Sequence, residues 1–183
     1  MIGAVNDGGL HWQIIAPLCR MLGVQSYLEF GIMDGAHLVH VAKAIHEMYP
    51  HALIVGVDRR VPAGLPAGVL PVECTTQEFC LDRIRDFPPF DAVFIDADHH
   101  VDAVRNDFWG VFPYVSENGL IFLHDTHPKD LAQTDPALCG TAWEFAVTLS
   151  HGQYDHLESL TLPFSPGLTV VRKRLTQTPW SAR

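Results

Sequence analysis

Three stretches of this chain carry the side chains that could do chemistry. Tyr27–His37 holds Glu29, Gly31, Asp34 and Gly35 just after an apolar strand pattern. Asp96-Ala97-Asp98-His99-His100 and His124-Asp125-Thr126-His127 each follow an apolar run, and a lone acid, Asp58, closes another. A dinucleotide site uses three glycines so that backbone N–H groups can hold a pyrophosphate at a helix start. Here there are two glycines with acids around them. Those acids would repel a pyrophosphate and attract a sulfonium or ammonium ion. The later acids would also repel one another, and a bound cation removes that cost. Carboxylates alone suit Mg²⁺. Imidazoles from His99, His124 or His127 would move the preference toward Mn, Fe or Zn. A metal that chelates a hydroxyl acidifies it, and a nearby imidazole can take the proton.

The elements that must position these groups follow from periodicity. Trp12, Ile14, Ile15, Leu18, Met21 and Leu22 recur at helical spacing and stop at Gly23. Ser26–Phe30 reads as the first strand, and Leu38–Ile45 as part of a helix that starts after Gly35 and ends by Tyr49-Pro50. Ala52–Asp58 and Asp91–Asp96 are apolar runs of the kind buried on both faces of a parallel sheet. Residues 59–68 read as a Pro/Gly-rich loop, and Val69–Glu73, with Pro71 inside it, as an edge strand. Thr75 or Thr76 should cap a helix over Gln77–Asp86, with Glu78 in its first turn. Val101, Val104, Phe108 and Phe112 mark the next helix. Ser116–Gly119 reads as a turn and Leu120–Leu123 as a strand. Lys129–Cys139 is a long polar loop and Thr141–Leu149 a helix. His156–Leu162 and Leu168–Arg172 form a closing hairpin across a Pro-Phe-Ser-Pro-Gly turn.

This β/α alternation implies an α/β, Rossmann-like doubly wound sheet. Ligands in such sheets bind at the C-terminal strand ends, where Glu29, Asp58, Asp96 and Asp125 all fall. Asp58 stands where an acid meets ribose hydroxyls. If the fourth and fifth strands are neighbours, Asp96 and Asp125 lie about 5 Å apart, one strand spacing. Asp96 and Asp125 are then the expected metal ligands, completed by His124 or Asp98, with His99 as the proton acceptor.

Glu29-x-Gly31-x-x-x-Gly35 resembles the first motif of class I S-adenosylmethionine-dependent methyltransferases. Phe94-Ile95-Asp96-Ala97-Asp98-His99, followed by Gly119–Leu123 and His124-Asp125, resembles the macrolide-sugar and small-molecule O-methyltransferases among them. The likeness runs from about Tyr27 to Arg172. The chain departs from the family pattern at Ala97 and Asn118, which stand for glycines, and at His100-Val101, where a tyrosine is usual. The resemblance implies a seven-stranded sheet, mainly parallel, whose last strand is antiparallel and inserted between the fifth and sixth. It also implies that Glu29, Gly31, Gly35 and Asp58 hold S-adenosylmethionine. Asp96 would then face both that cofactor and a divalent metal shared with Asp125.

Bulk composition narrows the classes. At 183 residues, 48% hydrophobic and 18% charged, the chain suits one methyltransferase domain over 1–183. A net charge of −9 without a basic stripe speaks against nucleic acid. The four cysteines form no C-x-x-C pair, and Met1–Gly9 lacks a signal-peptide pattern, so a reduced, cytoplasmic protein is expected, off the membrane. The expected partner is a small-molecule acceptor, chosen by residues 59–68, by Lys129–Cys139, or by another subunit of a homo-oligomer. Two rival readings stand beside this one. One is a metal-dependent hydrolase or lyase with a merely structural glycine corner; the other is a cofactor-binding subunit without turnover.

Overall fold

The computed structural model describes residues 11–152 and 154–174; the reading of Met1–Gly9 lies outside them. Seven strands form a sheet: β1 (Ser26–Phe30), β2 (Leu53–Asp58), β3 (Val69–Glu73), β4 (Phe90–Ile95), β5 (Val115–His124), β6 (Leu157–Leu162) and β7 (Leu168–Lys173). Their order is β3-β2-β1-β4-β5-β7-β6. β1 to β5 are parallel; β7 runs antiparallel between β5 and β6. The inserted antiparallel strand expected from the sequence is therefore present, and the proline-bearing strand β3 lies at the edge.

Strand alternation divides the core in two. Tyr27, Ile54, Ala92, Phe94 and Phe122 face one side, where α1 (Trp12–Leu22) and α2 (Ala36–His46) pack through Ile15, Cys19, Leu38, Val41 and Ile45. Leu28, Phe30, Val55, Val93, Ile95, Ile121 and Leu123 face the other. There they meet α4 (Val101–Val111) and α5 (Ala142–His151) through Val104, Phe108, Val111, Phe145 and Leu149. A sheet covered on both faces needs strands apolar at nearly every position, which is why those runs were legible.

Two segments differ from expectation. The helix expected over Gln77–Asp86 begins as α3 (Thr76–Glu78) and continues as a π-helical turn, Phe79–Arg83, and a 3₁₀ turn, Ile84–Asp86. Thr75 is its cap: the Glu78 N–H donates to Thr75 Oγ1 at 3.1 Å, and the Thr75 N–H donates to Glu78 Oε2 at 2.8 Å. The wider π turn brings Phe79 and Ile84, both buried, onto the core. The other segment is Ser116–Gly119, which lies within β5 as an irregularity. The pairing jumps from Phe90–Val115 to Ala92–Leu120, and Asn118 takes φ 63°. Ser116 Oγ donates to Asp91 Oδ1 at 2.9 Å, so the turn residues stay tied to the sheet.

Asp107 is a charged group inside this packing, on α4 and 5% exposed. Burial, aided by Asp98, lifts its carboxyl from 3.8 to about 6, although a hydrogen bond from Thr76 opposes the rise. Between those values the folded chain keeps a proton that the unfolded chain has released. Stability therefore falls as pH climbs through this window and stays lower above it. Asp107→Asn keeps an acceptor for Thr76 and removes the charge. It is expected to raise stability at about pH 7 by roughly 2 kcal/mol and to flatten the decline. Identical denaturation midpoints for variant and wild type at that pH would refute the assignment.

Candidate active site

The glycine corner is built by close approach. Gly31 follows β1 with φ 83°, and its N–H donates to Val57 O at 2.9 Å. A Cβ on Gly31 would lie 2.1 Å from the Asp96 carbonyl oxygen, so the corner is pressed against the end of β4. Gly35 precedes α2, whose first turn is tied by the Ala36 N–H donating to Asp34 Oδ1 at 2.9 Å. Asp58, closing β2, braces the same corner. Its Oδ2 accepts from the N–H groups of Ile32 (2.9 Å) and Met33 (3.1 Å), and its Oδ1 accepts from Arg60 N–H at 3.0 Å.

Glu29 is 1% exposed and lies inside the sheet face. It accepts from the Tyr27 hydroxyl at 2.8 Å, and His37 Nδ1 lies 2.7 Å from the same oxygen. Burial, with Glu29 beside it, keeps the Tyr27 phenol well above the usual range and therefore protonated. Glu29 is thus engaged by Tyr27 and His37 within the fold. The His37 ring stacks on Phe94 with centroids 4.3 Å apart, and its buried Nε2 has no hydrogen-bond partner among the described residues.

The acid and imidazole cluster gathers where β4 and β5 end side by side. Ligand atoms of Asp96, His124 and Asp125 lie within 4.8 Å of one another. His124 Nδ1 stands 3.0 Å from Asp96 Oδ1 and 3.0 Å from Asp125 Oδ2, yet neither ring nitrogen meets hydrogen-bond geometry. His99 Nε2 approaches the same two oxygens, at 3.3 Å from Asp125 and 3.8 Å from Asp96. Burial disfavours charge on His124, but Asp96 and then Asp125 outweigh it and push its pKa up to about 10. Burial likewise works against the Asp96 carboxylate, and the attraction of His124 and His99 overcomes it, holding Asp96 below the usual range. Asp125 sits at φ 59°, a left-handed backbone that aspartate tolerates better than most residues. A buried imidazole that among the described residues makes no aligned hydrogen bond, facing two carboxylates, is a donor set that a divalent ion fits.

The structure thus brings together Asp96, His99, His124 and Asp125 from the sequence reading, with Gly31 touching the same place. Asp98 stands apart: exposed, it accepts from the His100 N–H at 2.8 Å within its own turn. Of the two candidates to complete the pair, His124 is the one drawn in. His100 starts α4, its Nδ1 accepting from Asp102 N–H at 3.3 Å, and His127 is exposed. Sequence reasoning missed His37 and His11; the His11 ring packs edge-on against His124 with centroids 4.4 Å apart. It also missed Cys139, a buried thiol whose hydrogen bond to Asp125, after burial itself, helps push its pKa up to about 12. Helical phase, two residues past Gly35, could have pointed to His37. Nothing local marks the other two.

A sheet of this order, with a glycine corner after β1 and acids at the ends of β2, β4 and β5, defines a class I methyltransferase fold. The chain belongs to the methyltransferase domain family, whose pattern matches residues 28–126. No curated protein is detectably similar to it in sequence. Among solved structures it resembles an O-methyltransferase from Bacillus cereus in complex with SAH: TM-score 0.68, 16% identity, covering 93% of this chain and 82% of that one. It also resembles the O-methyltransferase TomG from Streptomyces achromogenes, involved in tomaymycin synthesis and solved with SAM (0.64, 20%, 93% and 82%). A third similar structure is the MycE methyltransferase of the mycinamycin pathway, solved with Mg, SAH and mycinamycin VI (0.64, 21%, 93%). This chain spans 50% of that protein's length. Among the described residues no helix is long and apolar enough to cross a membrane.

Proposed function

We propose that this protein transfers the methyl group of S-adenosylmethionine to a hydroxyl of a small molecule, with the help of a divalent metal. The observation that carries this reading is the contact between its two halves. The Gly31 corner and the Asp96–His124–Asp125 cluster share the end of β4, so a methyl donor over the one lies beside an acceptor at the other. The SAM- and SAH-bound structures it resembles support the donor, and the Mg-bound one supports the metal.

When bound, the cofactor supplies a sulfonium methyl for in-line displacement and the metal acidifies the acceptor hydroxyl. Gly31 and Gly35 would let the corner approach the cofactor, Asp58 would brace that corner and hold the ribose, and Glu29 would act on the amino acid end through His37. Asp96, His124 and Asp125 would hold the ion. His99 Nε2 takes the hydroxyl proton as the oxygen–carbon bond forms.

Calorimetric titration with S-adenosylmethionine and S-adenosylhomocysteine, with and without Mg²⁺ or Mn²⁺, tests the reading. Binding of both is expected. Asp58→Ala should weaken it by roughly 1–2 kcal/mol, the scale of lost hydrogen bonds to a charged group. Unchanged affinity in Asp58→Ala would remove Asp58 from the site. No binding at all, together with hydrolysis or elimination that needs only the metal, would favour a hydrolase or lyase instead.

A further inference from the structure

His99 is held from several sides by one short segment, Leu138–Thr141. The Thr141 N–H donates to His99 O at 2.8 Å, and Thr141 Oγ1 accepts from the Val101 N–H at 2.9 Å. Gly140, at φ 53°, lies so close that a Cβ there would be 2.5 Å from His99 O and 2.9 Å from His99 Cβ. The ring's Nδ1 meets the Leu138 carbonyl oxygen. The segment is itself anchored from behind. Leu138 and Gly140 N–H groups donate to Asp135 O (2.8 and 3.0 Å), and Cys139 N–H donates to Gln133 O (2.9 Å). Gln133 Oε1 in turn accepts from Lys129 N–H at 2.7 Å and from Ser165 Oγ at 2.9 Å.

A carbonyl oxygen only accepts, so the nitrogen facing it must carry the proton. Nε2 is left as the ring atom turned toward Asp125 Oδ2 and Asp96 Oδ1, so any proton that His99 exchanges at the cluster passes through it. We propose that Leu138–Thr141 is a positioning clasp that holds the His99 ring with its Nδ1–H on the Leu138 carbonyl and its Nε2 toward the two acids, and that Gly140 is the residue whose missing side chain lets it close. This rests on the reading of His99 as the proton acceptor. It also revises the role of Lys129–Cys139, whose end serves the base rather than the choice of acceptor.

The test uses metal-free, cofactor-free protein labelled with ¹⁵N-histidine, with the His99 signal assigned through His99→Gln. Long-range ¹H–¹⁵N correlation is expected to show a proton held on Nδ1, whatever the state of Nε2. Gly140→Ala should broaden or shift that Nδ1 signal and lower kcat of the metal-loaded enzyme by about 10–100-fold, the usual effect of misplacing a catalytic group by about 1 Å, while KM for the cofactor stays put. Thr141→Val should act in the same direction and Thr141→Ser should not, which carries the test should Gly140→Ala fail to fold. A wild-type ring without a proton on Nδ1, or variants of unchanged Nδ1 signal and kcat, overturns the clasp. A wild-type ring protonated on Nδ1 with full turnover in His99→Gln overturns instead the proton-acceptor reading.

Discussion

Gly31→Ala is expected to abolish cofactor binding and to destabilise the fold by roughly 3–5 kcal/mol, the upper range for single substitutions. The new Cβ would lie 2.1 Å from the Asp96 oxygen, 2.6 Å from its carbonyl carbon and 2.7 Å from Ala97 Cα. All three are backbone atoms, so no side-chain rotation relieves the clash. The left-handed φ adds about 1 kcal/mol against any residue with a Cβ. Relief requires the corner to lift away from β4, which breaks the hydrogen bond from the Asp96 N–H to Phe30 O at 2.9 Å. It also moves Asp96, so the Asp96–His124–Asp125 cluster suffers with the glycine corner. Denaturant midpoints and calorimetry on the same preparation read both effects. A folded Gly31→Ala protein that binds S-adenosylmethionine normally would show that the corner is not the cofactor seat.

The parts of this site legible in the sequence are those that depend on chain direction and strand phase. Apolar runs ending in Asp58, Asp96 and near Asp125 fixed which ends of which strands carry charge, because strands buried on both faces leave polar residues only at their ends. The pairing of Ile95 with Leu123 then puts Asp96 opposite His124. His124 is still inside β5 and shares the face of Phe122, whereas the chain has already turned by Asp98. That turn decides between the two, and it is set by the Asx contact to His100, which spacing alone does not reveal. The Ser116–Gly119 turn signal was equally real but local, and the sheet absorbed it. Cys139, Leu138 and Gly140 meet the site only because a loop folds back over β4 and β5, a tertiary closure without a periodic signature.

Chelation is expected to stop methyl transfer, with Mg²⁺ or Mn²⁺ restoring it, and Asp125→Asn should remove that rescue. A lost direct ligand should weaken the metal by at least about 100-fold, the upper range seen when only a supporting residue is changed. S-adenosylmethionine binding should stay largely unchanged, because the glycine corner proposed to seat it lies over β1 and β2. The metal-free protein gives an independent readout. Burial lowers the His124 pKa, but Asp96 and Asp125 raise it to about 10, above its unfolded 6.5. The stabilisation from the protonated ring is therefore complete below 6.5 and fades as pH rises through about 10. Asn at position 125 removes one of the two anions, so less charge holds the proton on His124. The metal-free variant should lose stability at neutral pH and begin its decline at lower pH than the wild type. Metal binding reverses the sign of the argument, since ligation by His124 requires the ring without its proton, and the ion then neutralises both carboxylates. Activity that survives exhaustive chelation would make the cluster a proton-transfer or substrate site. A stability profile unaltered by Asp125→Asn would show that His124 is not held by this pair of acids.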